Sequence, residues 1–261
     1  MMHTYCIIFV FQLLSLSGAM ESGIVDGKKV KPHSRPYMAS LQVDGSHKCG
    51  GMLIREDFVL TAAHCKLPQQ MMVVLGAQDI TKKEKSQQRI QVKYHPYPKY
   101  KKGQYDNDIM LLEMTLFSFT VKKNATLNKY VKTIGLPKKD EKIPDNIQCA
   151  VAGWGRKGKK NLPSHILRET MEKTQSSNEC TKTYGKDFKA DHMICTAFTK
   201  KKGGFCQGDS GGPLICNNKL QGIIAFTAKD CNDPKYPHGS IKIQAFLPWM
   251  KKVMQGSGDT A

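Results

Sequence analysis

"GGFCQGDSGGPL", Gly203 to Leu214, places a serine in a bend built from glycine. A serine hydroxyl hardly ionises near neutral pH, so Ser210 is a weak nucleophile alone. It needs a positioned base, an acid to orient that base, and donors for a developing oxyanion. The glycines suit that task. They permit a tight bend, let a substrate approach closely, and turn backbone N–H groups toward one point, with Gly208 and Ser210 as the natural donors. Taken alone, GDSGG would also serve as an ordinary turn, so the rest of the chain has to answer to it.

Two further stretches do. His64 ends "FVLTAAHC" (58–65), directly after an apolar strand and tethered by Cys65. Asp108 opens the core run of "NDIMLL" (107–112). An acid at the mouth of an apolar strand is placed to be buried against an imidazole, where it holds the tautomer and stabilises the imidazolium. Asp106 is the nearest competitor; Asp108 is preferred because it directly precedes Ile109–Leu112.

The N-terminus gives the compartment. "CIIFVFQLLSL" (6–16) is a short apolar run followed by the small residues Ser17-Gly18-Ala19, which reads as a signal peptide over residues 1–19. The run is shorter than the roughly 20 residues a membrane span needs. Nine cysteines agree with an oxidising destination. Cys6 leaves with the signal, and an even set of eight implies disulfides. Their number alone cannot give the pairing, and no close CxxC pair supports zinc. Asn124-Ala125-Thr126 is an N-glycosylation sequon. Lys and Arg number 40 against 22 Asp and Glu, a net charge of +18. Such an excess suits a polyanionic partner, or only a solvated surface. Lysines gather at 99–102, 137–142, 155–160 and 199–204, between the apolar segments.

Those segments, at 37–43, 71–77, 108–114, 149–155, 213–218 and 220–226, are short and often alternate with period two. Many short strands without long alternating helices predict an all-β sandwich or barrel. One helix is expected at the end, with Phe246, Leu247, Met250, Val253 and Met254 on one face and Pro248 in its first turn.

LTAAHC (60–65), DIMLL (108–112), GWG (153–155) and GDSGGPL (208–214) resemble the chymotrypsin-like serine peptidases of the S1 family, in the order His, Asp, Ser. The resemblance runs from Ile24 to the C-terminal helix. "VKPHSRPYMASLQV" (30–43) and the lysine-rich surface look most like granzymes and mast-cell proteases. The family implies two six-stranded β-barrels, all within residues 24–261 and joined near 130–146, with the active site between them. It implies His64 as base, Asp108 as its orienter and Ser210 as nucleophile. It also implies disulfides Cys49–Cys65, Cys149–Cys216, Cys180–Cys195 and Cys206–Cys231, the last setting the chain beside granzyme A-like members. Ile24-Val25-Asp26-Gly27 resembles a mature N-terminus whose ammonium would pair with a buried Asp209. Residues 20–23 would then be a propeptide. Gly23 argues against a trypsin-type cut, and two dipeptides suit a dipeptidyl peptidase.

The expected pocket departs from the family. The position six before the nucleophile is Gly204 rather than the Asp that binds Lys or Arg, and Phe205 beside it is expected to project into or line the pocket and make it shallower. The wall reads Ala225-Phe226-Thr227: Ala225 cannot hydrogen-bond Asp108, and Thr227 replaces a glycine. His238 stands where a small residue often lies. Three readings stay open. His238 and Thr227 would bind an acidic side chain, as a basic residue in this region does in granzyme B; or apolar surroundings would favour aromatic or aliphatic side chains; or the pocket is filled. The function implied is a secreted or granule-stored endopeptidase of immune defence, not specific for Lys or Arg. The alternative is a weakly active or inactive basic homologue that binds polyanions or microbial surfaces. Implied partners are protein substrates, a heparin-like sulfated proteoglycan and a serpin inhibitor; no cofactor, metal, specific nucleic acid or membrane span is expected.

Overall fold

The computed structural model describes residues 24, 27–116, 121–156, 162–198, 203–228, 230–231 and 233–256. The expected signal (1–19) and propeptide (20–23) lie outside the described residues. The first half holds β1 (Lys28–Lys29), β2 (Met38–Val43), β3 (Ser46–Arg55), β4 (Phe58–Thr61), β5 (Met72–Leu75), β6 (Gln88–Pro96), β7 (Met110–Leu116) and β8 (Val121–Lys122). The second holds β9 (Gln148–Gly153), β10 (Arg168–Thr174), α1 (Ser177–Tyr184), β11 (Met193–Phe198), β12 (Pro213–Cys216), β13 (Lys219–Phe226), β14 (His238–Lys242) and α2 (Leu247–Met254).

Six antiparallel strands in the order β4-β3-β2-β5-β6-β7 close into a barrel where β4 meets β7, with Thr61 opposite Met110. Six more, β10-β11-β14-β13-β12-β9, close where β9 meets β10, with Gly153 opposite Arg168. The short β8 extends the first sheet at β7, and β1 joins the second at β10. The expected all-β, two-barrel fold is therefore present. Closure removes the open sheet edges that a strand-rich chain would otherwise expose.

One expected strand starts late. The 108–114 run forms strand only from Met110. Asn107 has a φ of 61°, in the left-handed region that Asn tolerates better than most residues, and its carbonyl accepts the Ile109 N–H at 2.8 Å. This tight turn takes Asp108 out of the ladder. α1 was not expected from the apolar pattern; its cap is Ser176, whose hydroxyl accepts the Asn178 N–H.

The barrels meet closely. Gly50 N–H on β3 donates to Ser210 O at 2.8 Å. Gly211 has a φ of 80°, and a Cβ there would lie 2.2 Å from Thr61 Oγ1 and 2.5 Å from Gly50 O, so only glycine fits this approach. Trp154 is fully buried with Val30, Met38, Val74 and Leu167, and its indole N–H donates to Gln78 O. The expected C-terminal helix forms as α2, burying Met250 and Val253. It straps the first barrel: Trp249, and Phe246 just before the helix, pack edge-on against Tyr97, and Arg55 donates to Met254 O.

The four disulfides Cys49–Cys65, Cys149–Cys216, Cys180–Cys195 and Cys206–Cys231 are formed. Cys149 and Cys216 already face each other across β9 and β12. Their bond therefore acts mainly on the unfolded chain, where it closes a loop with a sequence separation of 67. Replacing both by alanine is expected to lower stability by about 4 kcal/mol, measured by denaturant unfolding.

Candidate active site

β4 delivers His64 into a one-turn 3-10 segment, Ala63–Cys65, and the Cys49–Cys65 bond ties that turn back to β3. Asp108, buried at the turn before β7, grips His64 twice. Its Oδ1 accepts the His64 backbone N–H at 2.8 Å, and its Oδ2 lies 2.5 Å from Nδ1. The carboxylate accepts, so Nδ1 carries the proton and Nε2 is left as the base-like nitrogen. Tyr100 beside this pair has its hydroxyl pushed up to about 12, by burial first and by the Asp108 charge second. Asp106, the competing acid, is occupied elsewhere: its Oδ1 lies 2.7 Å from His192 Nδ1.

Ser210 lies beside this turn, across the barrel seam. Its carbonyl takes the Gly50 N–H and lies 3.8 Å from Cys65 Sγ, next to His64. Around it the amides are assigned in order. Asp209 N–H donates to Cys206 O, Gly211 N–H to Ile224 O, and Gly212 N–H to Asp209 O. Among the described residues the Gly208 and Ser210 N–H groups have no such partner, which is what oxyanion donors require.

His47 holds the bend from below, a role the sequence did not announce. Its Nε2–H donates to Gly208 O at 2.9 Å, and Nδ1 accepts from Ser40 Oγ at 2.8 Å. Burial pushes its pKa down to about 4. Asp209 is fully buried, with Oδ1 accepting from Gly155 N–H and Oδ2 from Cys206 N–H. Burial raises it to about 7, against those two bonds, and the charge of Glu172 adds to the rise. Ile24 is also fully buried. Cys49, His64 and Cys65 lie close enough to suggest a metal site, but both sulfurs are spent in one disulfide.

Two of the expected pocket residues, Phe205 and His238, lie beside Gly204. A Cβ on Gly204 would stand 2.6 Å from Glu172 Oε1 and 2.8 Å from His238 Cε1, at a φ of 126°. Phe205 is buried in the apolar cluster of Val151, Leu214 and Ile224, and its ring lies 4.4 Å from that of His238. Phe226 stacks on Tyr105 at 4.1 Å and pairs across the ladder with Gly239, beside His238. Ala225 is buried and has no side-chain group to support Asp108. Glu172, which lies against Gly204 and His238, is a residue that sequence reasoning missed.

The chain belongs to the trypsin family: the family model "Trypsin" matches residues 24–250. It is thus a serine-type endopeptidase of the chymotrypsin-like class. It is similar to "Granzyme B" of Rattus norvegicus, 41% identical over 93% of this chain and 96% of that protein. It is likewise similar to "Mast cell protease 3" of Ovis aries, 41% identical over 95% of this chain and 96% of that one. These relatives carry granzyme B and mast-cell names, whereas the fourth disulfide pointed toward granzyme A-like members. Among solved structures, mouse "Neuropsin, a serine protease" superposes with a TM-score of 0.80 at 31% identity, over 88% of this chain and all of that one.

Two outcomes follow from this geometry. Gly204→Asp, which restores the family's acid, is expected to cost about 3 kcal/mol in denaturant unfolding, through contact with Glu172 and a backbone angle that side chains disfavour. His47 is held neutral in the fold, so between about pH 6.5 and about pH 4 the unfolded chain binds more protons, and acidification through that window removes stability. The stability gap between the parent and His47→Gln should therefore shrink as pH falls from 6.5 to 4.

Proposed function

We propose that this chain hydrolyses peptide bonds through Ser210 as nucleophile, His64 as general base and Asp108 as the residue that orients His64. The observation that carries this is the two-point grip of Asp108 on His64, at 2.8 and 2.5 Å, with Ser210 beside the same turn. His64 Nε2 takes the proton of the Ser210 hydroxyl as its oxygen attacks the carbonyl carbon of the peptide. The Gly208 and Ser210 N–H groups stabilise the oxyanion. His64 then returns the proton to the leaving amine, and water resolves the acyl-enzyme by the same route.

Activation is read as release of residues 1–19 as a signal and of 20–23 as two dipeptides by a dipeptidyl peptidase. The new Ile24 ammonium would give Asp209 the cation that a buried carboxylate needs. Similarity to proteins named granzyme B and mast cell protease 3 supports an immune-cell role, which suits secretion or granule storage. No helix of the described residues is long and apolar enough to cross a membrane. The net charge of +18 suits retention on a heparin-like proteoglycan. Asn124 is exposed, as a glycosylation site must be. A serpin is the class of inhibitor that the fold would meet. The rival reading, a basic homologue with little activity that binds polyanions or microbial surfaces, draws on the same charge.

A fluorophosphonate probe separates the two. The chain trimmed to Ile24 is expected to label at Ser210, with Asp108→Asn slower by about 10⁴-fold. Labelling no faster than in Ser210→Ala would refute the peptidase reading.

A further inference from the structure

Glu172 sits on β10 with none of its surface exposed. Its Oε1 accepts the Phe205 N–H at 3.0 Å and lies 2.8 Å from His238 Nδ1, while Oε2 accepts from Thr196 Oγ1 at 2.5 Å. Thr196 and His238 are neighbours across β11 and β14. An ionised carboxylate has no hydrogen to give, so His238 Nδ1 carries the proton and the opposite nitrogen, Nε2, is left over.

That nitrogen is buried and has no partner among the described residues, and the same holds for the Thr227 hydroxyl. A buried polar atom left unpaired costs about 1–3 kcal/mol. Both belong to the candidate pocket; the hydroxyl is able to donate as it stands, and Nε2 donates once a carboxylate placed against it draws a second proton onto the ring. Gly204 shows where the pair stands: the space a side chain at 204 would enter is taken by Glu172 Oε1 and His238 Cε1. The acid expected on the loop is absent from it, and a carboxylate arrives from β10 instead, already capped by an imidazole.

We propose, on the peptidase reading above, that Glu172 is the positioning residue of the substrate pocket, holding His238 so that its Nε2, with the Thr227 hydroxyl, donates to a carboxylate on the substrate side chain at the cleaved bond. An imidazole between two carboxylates donates through both nitrogens, so one cation serves both anions. A basic side chain gains nothing here, because three donors already occupy Glu172. An apolar one leaves Nε2 and Thr227 unpaired, the kind of penalty that discriminates strongly between substrates. The net charge of +18 draws acidic chains toward the protein in the first place.

The test takes the chain expressed from its full sequence, trimmed to Ile24 and carrying Ser210→Ala. Fluorescent peptides identical except for a final Glu, Leu or Lys report binding by anisotropy. The Glu peptide is expected to bind at least about tenfold tighter than the other two, about 1.4 kcal/mol. Glu172→Gln, which keeps size and removes charge, should bring it down to the Leu value while Leu binding holds within about twofold; His238→Gln should do the same. A Glu172 that only supported the fold would weaken all three peptides together. Tightest binding by Leu or Lys, or an undiminished Glu preference in both variants, overturns the proposal. Since Ser210→Ala does no chemistry, this result is independent of probe labelling. Failed labelling with the Glu preference intact removes the peptidase reading and leaves the pocket assignment standing.

Discussion

A carboxylate with no solvent contact, that of Asp209, holds together the loops that carry the site. It takes the Gly155 amide from the segment after β9 and the Cys206 amide from the segment before the serine. Cβ atoms on Gly153 and Gly155 would fall 2.1 and 2.4 Å from its oxygens, so the glycines of GWG are there to let an acid in. Two amide bonds do not offset the cost of burying the charge, and Asp209 rises to about 7. Glu172, the other buried acid nearby, has an imidazole partner. The contrast gives the proposed Ile24 ammonium its physical sense: of the two acids, Asp209 is the one with no cationic side chain against it among the described residues.

The peptide between Gly208 and Asp209 is fixed at both ends, its oxygen by His47 and its N–H by Cys206 O. Ser210 is then fixed from the other barrel by Gly50. Ser210 thus takes its position from two halves of the chain that form separate barrels. This is why small residues crowd the seam: any side chain at Gly211 would push the halves apart.

The sequence displayed the parts of this arrangement that constrain their neighbours. Ser210 needs glycines around it, His64 follows an apolar strand and precedes a bonded cysteine, and Asp108 opens a core run; each leaves a local trace. Strands with clean apolar runs were legible for the same reason. β10, spelled RETMEKT, was not, because charged residues hide its period. Glu172 is lost within it. Its partners lie 24, 33 and 66 residues away, and nothing beside it in the chain records them. His47 is hidden in the same way, since Gly208 is 161 residues distant. Tertiary pairing of single polar residues is what local pattern does not encode.

Gly204, Phe205 and Cys206 carry three different duties in consecutive positions. Gly204 leaves room for Glu172 and His238. Phe205 anchors its ring in the apolar cluster and gives its amide to Glu172. Cys206 gives its amide to Asp209 and is bonded to Cys231. Adjacent amides therefore serve two different buried acids, Glu172 beside Gly204 and Asp209 beside Ser210. A peptide unit is planar and stiff, so a shift at one amide is felt at the next. Glu172 also acts on Asp209 through its charge. In this chain the acid proposed to position the pocket and the acid that seats the Ser210 loop are joined through three residues, so on that proposal a substrate that repositions His238 bears on both.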